Sequence, residues 1–374
     1  MTAAEGTRLA RVRAGMEVAR IDALLLSLGA DLPWLTGYEA MPLERLTMLV
    51  IPLASEPLLV VPLLEEPRVP ALTRELAGVR AWSEDEDPIE LVAAALPDRR
   101  GSFAVSDRMW AAPLLALQDR LPGARWSPAS TVTGPVRAVK DASEIAALEA
   151  AAASADRVAA DLQSGAIPVG GRTERQVAAD IGRRLVEEGH QRVNFAIVAS
   201  GPNGASPHHE PTDRVIVAGD TVVCDFGGTL SLASGAGYCS DITRTLSVGE
   251  PTADVLVRYE ALAASQAAGR ATARAGVVAS AVDAAARSVI DEAGFGARFV
   301  HRTGHGIGVE EHEDPYLVAG NPEVLVPGNA FSIEPGIYEP GRFGMRLEDI
   351  VVIDPDGTGR SINGADRSLV VVDP

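Results

Sequence analysis

Five ionisable side chains sit inside runs that otherwise read as buried strand, and this limits the fold more than any other feature of the chain. Asp225 lies in TVVCDFGG, Asp241 opens DITRTLSV, His305 lies in TGHGIG, Glu334 in AFSIEPGIY and Glu348 in MRLEDIVVID. An unpaired charge in an apolar sheet is costly, so a fold that buries these strands has to bring the acids onto cations. Each residue alone has an ordinary reading: an Asp before Gly-Gly is a turn residue, and an Asp in a Ser-Asp-x-Thr run is a polar cap. Together, four carboxylates and one imidazole form an oxygen-rich ligand set that balances the four positive charges of two divalent cations. Such a set suits Mn²⁺ and accommodates Co²⁺ or Zn²⁺, whereas a structural zinc site would use Cys and His. Dinuclear centres of this kind hydrolyse amide or ester bonds.

Strand parity sorts the candidates. Side chains alternate across a strand, so in MRLEDIVVI the residues Arg346, Glu348 and Ile350 share one face, and Leu347, Asp349 and Val351 the other. Glu348 is the expected ligand because Arg346, a cation able to orient a carboxylate, lies on its face. By the same rule Thr243 shares a face with Asp241 and is expected to support the site through a hydrogen bond. Cys224 and Cys239 are expected to point apart, as buried thiols in a reducing cytoplasm.

The 374 residues are enough for two domains, and 47% hydrophobic content is ordinary for a globular protein. A formal charge of −18 argues against nucleic acid or an anionic membrane as partner. No apolar run reaches the ~18 residues of a membrane span, and the opening MTAAEGTRLARVRAG has no apolar leader core, so a cytoplasmic protein is expected. All six histidines lie at position 190 or beyond, which puts the chemistry in the C-terminal half.

The first half alternates a helical pattern (about Leu9 to Leu28, ending at Gly29) with apolar strands at 46–53, 57–64 and 103–107 and a helix near 114–121. This predicts a smaller α/β domain over residues 1–135. The C-terminal domain, residues 136–374, is expected to be α+β. Its first helix starts at Asp141 with Glu144 as capping-box partner, and the second at Thr173 with Gln176. Helices over about 252–274 and 279–293 and five strands complete it.

The stretches GHGIGVEEHEDPY, IEPGIY, RLEDIVV, GYCSDITRT and ASGPNGASPHHEP resemble the signatures of the pita-bread metallopeptidases, the family of Xaa-Pro dipeptidases and aminopeptidase P. VARIDALLLS followed by LPWLTGYE resembles the creatinase-type N-terminal domain. The resemblance implies that Asp225, Asp241, His305, Glu334 and Glu348 bind two metal ions. It implies that His208 and His312 line the substrate site and stabilise the reacting carbonyl. It also makes Glu334 the proton shuttle for a bridging hydroxide that attacks the amide. A peptide with proline at its second position is the implied substrate, and a homodimer the typical assembly. His209, next to His208, is expected to face away into solvent, and His301 and Arg302 to position the loop before His305.

Two departures stand out. Asp225 and Asp241 are 16 positions apart (241 − 225), and TLSLASGAG reads as an insertion that lengthens the hairpin between them. Where several dipeptidases of the family carry an Arg after their HE-x-P motif to hold the substrate carboxylate, this chain has Tyr316. That points to longer peptides or a looser dipeptidase, with Arg346 as a substitute anchor. Two other readings are a creatinase-like hydrolase of a small amide or amidine and a catalytically dead peptide-binding module. Both predict eroded ligands, and this chain keeps all five.

Overall fold

The computed structural model describes residues 3–231 and 235–374, with side chains from residue 8 onward. The chain divides into two compact units, Met1–Arg137 with Leu232–Ala236, and Ala138–Ser231 with Gly237–Pro374.

The first unit contains α1 (Ala3–Ala19), β1 (Ala23–Leu26), α2 (Asp31–Thr36), β2 (Met48–Pro52), β3 (Leu58–Pro62), α3 (Ala71–Leu76), β4 (Gly78–Trp82), α4 (Pro88–Ala94), β5 (Ser102–Val105), α5 (Ala111–Arg120), β6 (Arg125–Pro128) and α6 (Ser130–Ala138). Its six-stranded sheet has the order β4-β3-β2-β1-β5-β6. The helical pattern expected over Leu9–Leu28 is two elements: the helix ends at Ala19, Arg20 adopts a left-handed φ of 56°, and Ala23–Leu26 becomes a strand. The run ALLL carries no period of its own, and a sheet-centre position decides it. Leu24 pairs with Ile51 on one side and Ala104 on the other, and all four residues are buried.

The second unit contains α7 (Ala142–Gln163), α8 (Glu174–Glu187), β7 (Arg192–Ser200), β8 (Thr221–Leu230), β9 (Tyr238–Cys239), β10 (Ile242–Val248), α9 (Ala253–Thr272), α10 (Ala279–Glu292), β11 (Gly304–Gly306), β12 (Glu313–Leu317), β13 (Ala330–Ile333), β14 (Gly336–Glu339), β15 (Phe343–Arg346), β16 (Asp349–Ile353), β17 (Gly359–Ser361) and β18 (Val370–Val372). Both expected capping boxes form: Asp141 accepts from the Glu144 backbone and Thr173 from that of Gln176, with the reciprocal bonds present.

Two sheets carry the unit, β18-β10-β8-β7 with β9 beside β8, and β12-β11-β13-β16-β17; β14 and β15 form a separate ribbon. Helices α7 and α8 cover one face of the first sheet, where Val158, Leu162, Ile181 and Leu185 pack on Cys224, Phe226, Ile242 and Leu246. Each such side chain contributes about 1.5–3 kcal/mol on burial, which fixes the parity of β8 and turns Asp225 to the opposite face. The second sheet packs Phe331, Ile333, Val351 and Ile353 against Ala273, Ala279 and Val282 of the α9–α10 region.

Two expected strands are broken. AFSIEPGIY splits at Glu334-Pro335, and MRLEDIVVID splits at Leu347-Glu348. Arg346 and Ile350 therefore belong to different strands, and parity does not relate Glu348 to either. The hairpin reading of TLSLASGAG falls partly on Leu232, Ala233 and Ser234, which lie outside the described residues, as do Met1 and Thr2 of the opening segment. On either side the pairing is antiparallel, with Thr229 opposite Cys239 and Leu230 opposite Tyr238. Both cysteines are free and buried. Among the described residues no helix is long and apolar enough to cross a membrane.

Candidate metal centre

Asp225 projects from mid-β8 and Asp241 from the residue ahead of β10. These antiparallel neighbours place Thr243 directly opposite Asp225. His305 is the central residue of β11. Glycine on either side lets that short strand press against its neighbours: a Cβ on Gly304 would collide with the Ser332 carbonyl oxygen, and one on Gly306 with that of Asp314. Glu334 follows β13, and its N–H donates to the Thr303 carbonyl (2.8 Å). Glu348 sits in the gap between β15 and β16. The two broken strands thus deliver their acids from strand ends, where the backbone is free to turn the side chain inward.

These residues meet. Ligand atoms of Asp241, His305 and Glu348 all lie within 4.8 Å of one another, and the three residues are buried. His305 Nε2 is 3.3 Å from Glu334 Oε1 and 3.7 Å from Asp241 Oδ2. His305 Nδ1 faces the Gly306 carbonyl at 3.1 Å, and a carbonyl only accepts, so the proton belongs on Nδ1 and the Nε2 lone pair faces the acids. Arg346 NH2 donates to Asp225 Oδ2 (2.5 Å), and Thr243 Oγ1 donates to Glu348 Oε2 (2.7 Å).

The electrostatics are those of acids crowded together out of water. Burial raises Asp241 well above the ordinary carboxylate range, and Glu348, Asp225 and Glu334 raise it further. Burial likewise raises Glu348, with Glu334 and Asp225 adding to it. Burial lifts Glu334 to about 7 against the pull of the Arg346 guanidinium. Burial and the neighbouring His312 hold His305 down at about 3. Three buried carboxylate oxygens, Asp225 Oδ1, Asp241 Oδ1 and Glu348 Oε1, have no hydrogen-bond donor. Each of these carboxylates is anchored through its other oxygen or held against its neighbours. Orphaned acceptors on Asp241 and Glu348, two residues whose ligand atoms lie within 4.8 Å of an unprotonated imidazole nitrogen and of each other, fit a divalent cation site.

Asp349, the neighbour of Glu348, is turned away. Its carboxylate accepts from the fully buried Arg244 (2.8 Å) and from Gln266 (2.8 Å), and it also pairs with Arg367. Arg244 additionally donates to the Glu348 carbonyl (2.6 Å) and so ties down the ligand-bearing turn. Sequence reasoning passes over Arg244; its signal is a basic residue on the core-facing parity of an apolar strand.

The centre opens into a cleft of about 680 Å³, ample for a dipeptide. His208 and His312 stand exposed on its lining, His312 edge-on to His305 with ring centres 4.1 Å apart. Phe195, Ile197 and Val300 add apolar wall. Arg346 also lines the cleft, but its guanidinium already bonds Asp225, Thr243, Tyr338 and the Pro207 carbonyl. Tyr316 lies behind the lining, beneath Arg302.

His209 does face away from the cleft, though into protein: its Nε2 is 2.8 Å from Oε2 of the buried Glu174. His301 and Arg302, expected only to position a loop, line the cleft. His301 Nδ1 donates to the Arg302 carbonyl (2.7 Å), so Nε2 accepts from the Tyr338 hydroxyl (2.8 Å), which in turn accepts from Arg346. Burial and Arg346 hold His301 at about 4, neutral at ordinary pH. Tyr338 had no marker in the sequence beyond its place in IEPGIY.

The profile of "Metallopeptidase family M24" matches residues 141–355, and that of "Creatinase/Prolidase N-terminal domain" matches residues 8–139. "Probable dipeptidase PepE" of Mycobacterium tuberculosis is 48% identical, covering 98% of this chain and 96% of that protein. "Xaa-Pro dipeptidase" of Lactobacillus delbrueckii subsp. lactis is 34% identical, covering 92% of each. The crystal structure of dipeptidase PepE from Mycobacterium ulcerans superposes with a TM-score of 0.92 at 47% identity, covering 100% of this chain and 99% of that one. The chain belongs to metallopeptidase family M24, with a creatinase-type N-terminal domain ahead of an α+β pita-bread catalytic domain.

Proposed function

We propose that the chain is a dinuclear-metal exopeptidase that hydrolyses the Xaa-Pro bond at the N-terminus of short peptides. The observation that carries this is that four carboxylates and one imidazole line one cleft, three of the acids buried with an orphaned oxygen and the ligand atoms of Asp241, His305 and Glu348 within 4.8 Å of one another. Asp225, Asp241, His305, Glu334 and Glu348 would hold two divalent cations, with Mn²⁺ the best match to an oxygen-rich set containing one imidazole. Bound cations supply the Lewis acidity that polarises a carbonyl and makes a nucleophile of water near neutral pH.

The protein's own groups then have separable tasks. Thr243 and Arg346 orient Glu348 and Asp225. Glu334 is more open than Asp241 or Asp225, its side chain 15% exposed against 6% and 12%, so it is the acid placed to exchange a proton with the cleft. A proline nitrogen in amide linkage carries no N–H, so cleavage needs a proton delivered to it as the bond breaks, and Glu334 supplies it. His208 and His312 present ring N–H groups to the oxygen on which negative charge develops. Phe195 and Ile197 offer apolar surface to the pyrrolidine ring.

The reading is tested by incubating Ala-Pro and Ala-Pro-Ala with the protein in Mn²⁺ and in a chelator. Metal-dependent release of alanine from either peptide is the expected result. Absence of release from both, in protein shown to bind Mn²⁺, would move the substrate outside Xaa-Pro peptides. The names of the similar proteins favour the dipeptide.

A further inference from the structure

A dipeptidase that prefers free dipeptides needs a cation for the substrate's C-terminal carboxylate, and the cleft is lined by one whose donors are not taken up by any described residue. Resting on the peptidase reading above, we infer that Arg302, stacked on Tyr316, is the clamp for that carboxylate.

Among the described residues two arginines, Arg302 and Arg346, line the cleft, and their surroundings differ. Arg346 is buried and spends its donors on four protein acceptors, one of them the carboxylate of Asp225. Arg302 is half-buried and makes no side-chain hydrogen bond or ion pair with any described residue. Its guanidinium carbon lies 4.5 Å from the centre of the Tyr316 ring. Stacking of this kind holds the planar fork in place while leaving its edge N–H groups directed outward, the geometry that takes a carboxylate through two parallel bonds.

Arg302 is also close to the chemistry. Its neighbour Thr303 donates its N–H to the Leu317 carbonyl (3.0 Å) and accepts from the Glu334 N–H (2.8 Å). The backbone beside Arg302 is therefore pinned between the residue after Tyr316 and a candidate ligand. In an Xaa-Pro dipeptide the carboxylate is separated from the scissile carbonyl only by the proline nitrogen and Cα, so its anchor has to stand beside the metal ligands rather than at the far rim. The Tyr316 ring is thus the platform for the arginine at position 302.

The test is calorimetric titration of L-proline and L-prolinamide, which differ in the carboxylate, into Mn²⁺-loaded wild type, Arg302→Gln and Arg302→Lys. A charge-assisted bidentate contact predicts that wild type binds proline about 10- to 100-fold more tightly than prolinamide. Arg302→Gln is expected to erase that preference, and Arg302→Lys to keep part of it. A preference retained in Arg302→Gln, or absent from wild type, overturns the clamp. So does a rise in KM confined to Asp-Pro and Glu-Pro with Ala-Pro unchanged, which would assign Arg302 to the first side chain. Binding does not need turnover, so loss of Ala-Pro hydrolysis with the proline preference intact would count against the peptidase reading alone.

Discussion

Thr243 Oγ1 donates a hydrogen bond to Glu348 Oε2 over 2.7 Å although the residues are 105 positions apart. The bond leaves Glu348 with one oxygen satisfied and the other, Oε1, buried with no donor. A carboxylate half-satisfied in this way is held in one rotamer and aimed. Thr243→Val keeps the shape and removes the donor, and loss of such an outer hydrogen bond costs about 10- to 100-fold in metal affinity. Competitive titration with a chromogenic chelator should show that loss with little change in thermal stability of the metal-free protein. Unchanged affinity would mean that Thr243 does not orient the ligand.

The crowded acids make a second prediction, with a definite sign. Glu348 is raised well above its ordinary value by burial and by its acidic neighbours. A group that binds its proton more tightly folded than unfolded contributes stability that is complete below the unfolded value of about 4.5 and is lost as pH rises through the folded one. Glu348→Gln avoids that loss. In chelator-treated protein the variant should melt higher than wild type at pH 8, and the difference should shrink toward pH 5. His301 and His305 are common to both proteins, and removing the Glu348 charge also relieves Asp241, which acts in the same direction. The same variant should bind Mn²⁺ more weakly. A variant that melts lower than wild type at pH 8 without metal would contradict the account.

Glu174 behaves oppositely. Burial alone would raise it, but hydrogen bonds from Ser200, His209 and Thr212 overcome burial and bring it down to about 2 from an ordinary 4.5. It ties helix α8 to the segment 200–212, which carries His208 into the cleft. A depressed carboxylate contributes stability above its unfolded pKa and loses it as pH falls through the folded one, here between about 4.5 and 2, and the shift corresponds to about 3 kcal/mol. Glu174→Gln should therefore destabilise at pH 7 by an amount of that order, with the gap to wild type closing as the pH falls below 4.5. Because the segment also holds His208, kcat/KM should fall as well. Urea melts across pH, with kinetics on folded protein, check both parts.

Local signals carried much of the fold. The capping pairs Asp141 with Glu144 and Thr173 with Gln176 mark the starts of α7 and α8, because each helix end must satisfy its own backbone donors with nearby side chains. The acids of the centre stood out for a similar reason, since charge in an apolar run is visible without any knowledge of partners. What was not legible depended on distant partners. ALLL at 23–26 extends a helical pattern until the sheet on either side claims it. Glu348 was selected by the parity of a strand that is in fact broken beside it, and Asp349 is excluded instead by Arg244, Gln266 and Arg367. Arg302 and Tyr316 are 14 positions apart (316 − 302), and their stacking follows from the pairing of β11 with β12, which spacing does not reveal.

The most direct test of the central claim is to strip the protein with a chelator and follow Ala-Pro hydrolysis as Mn²⁺ is returned in measured equivalents. Stripped protein should show no turnover, and recovery should saturate at about two equivalents per chain, as a two-ion centre requires. Full activity in stripped protein, or none at any Mn²⁺ level that demonstrably fills the site, would contradict it.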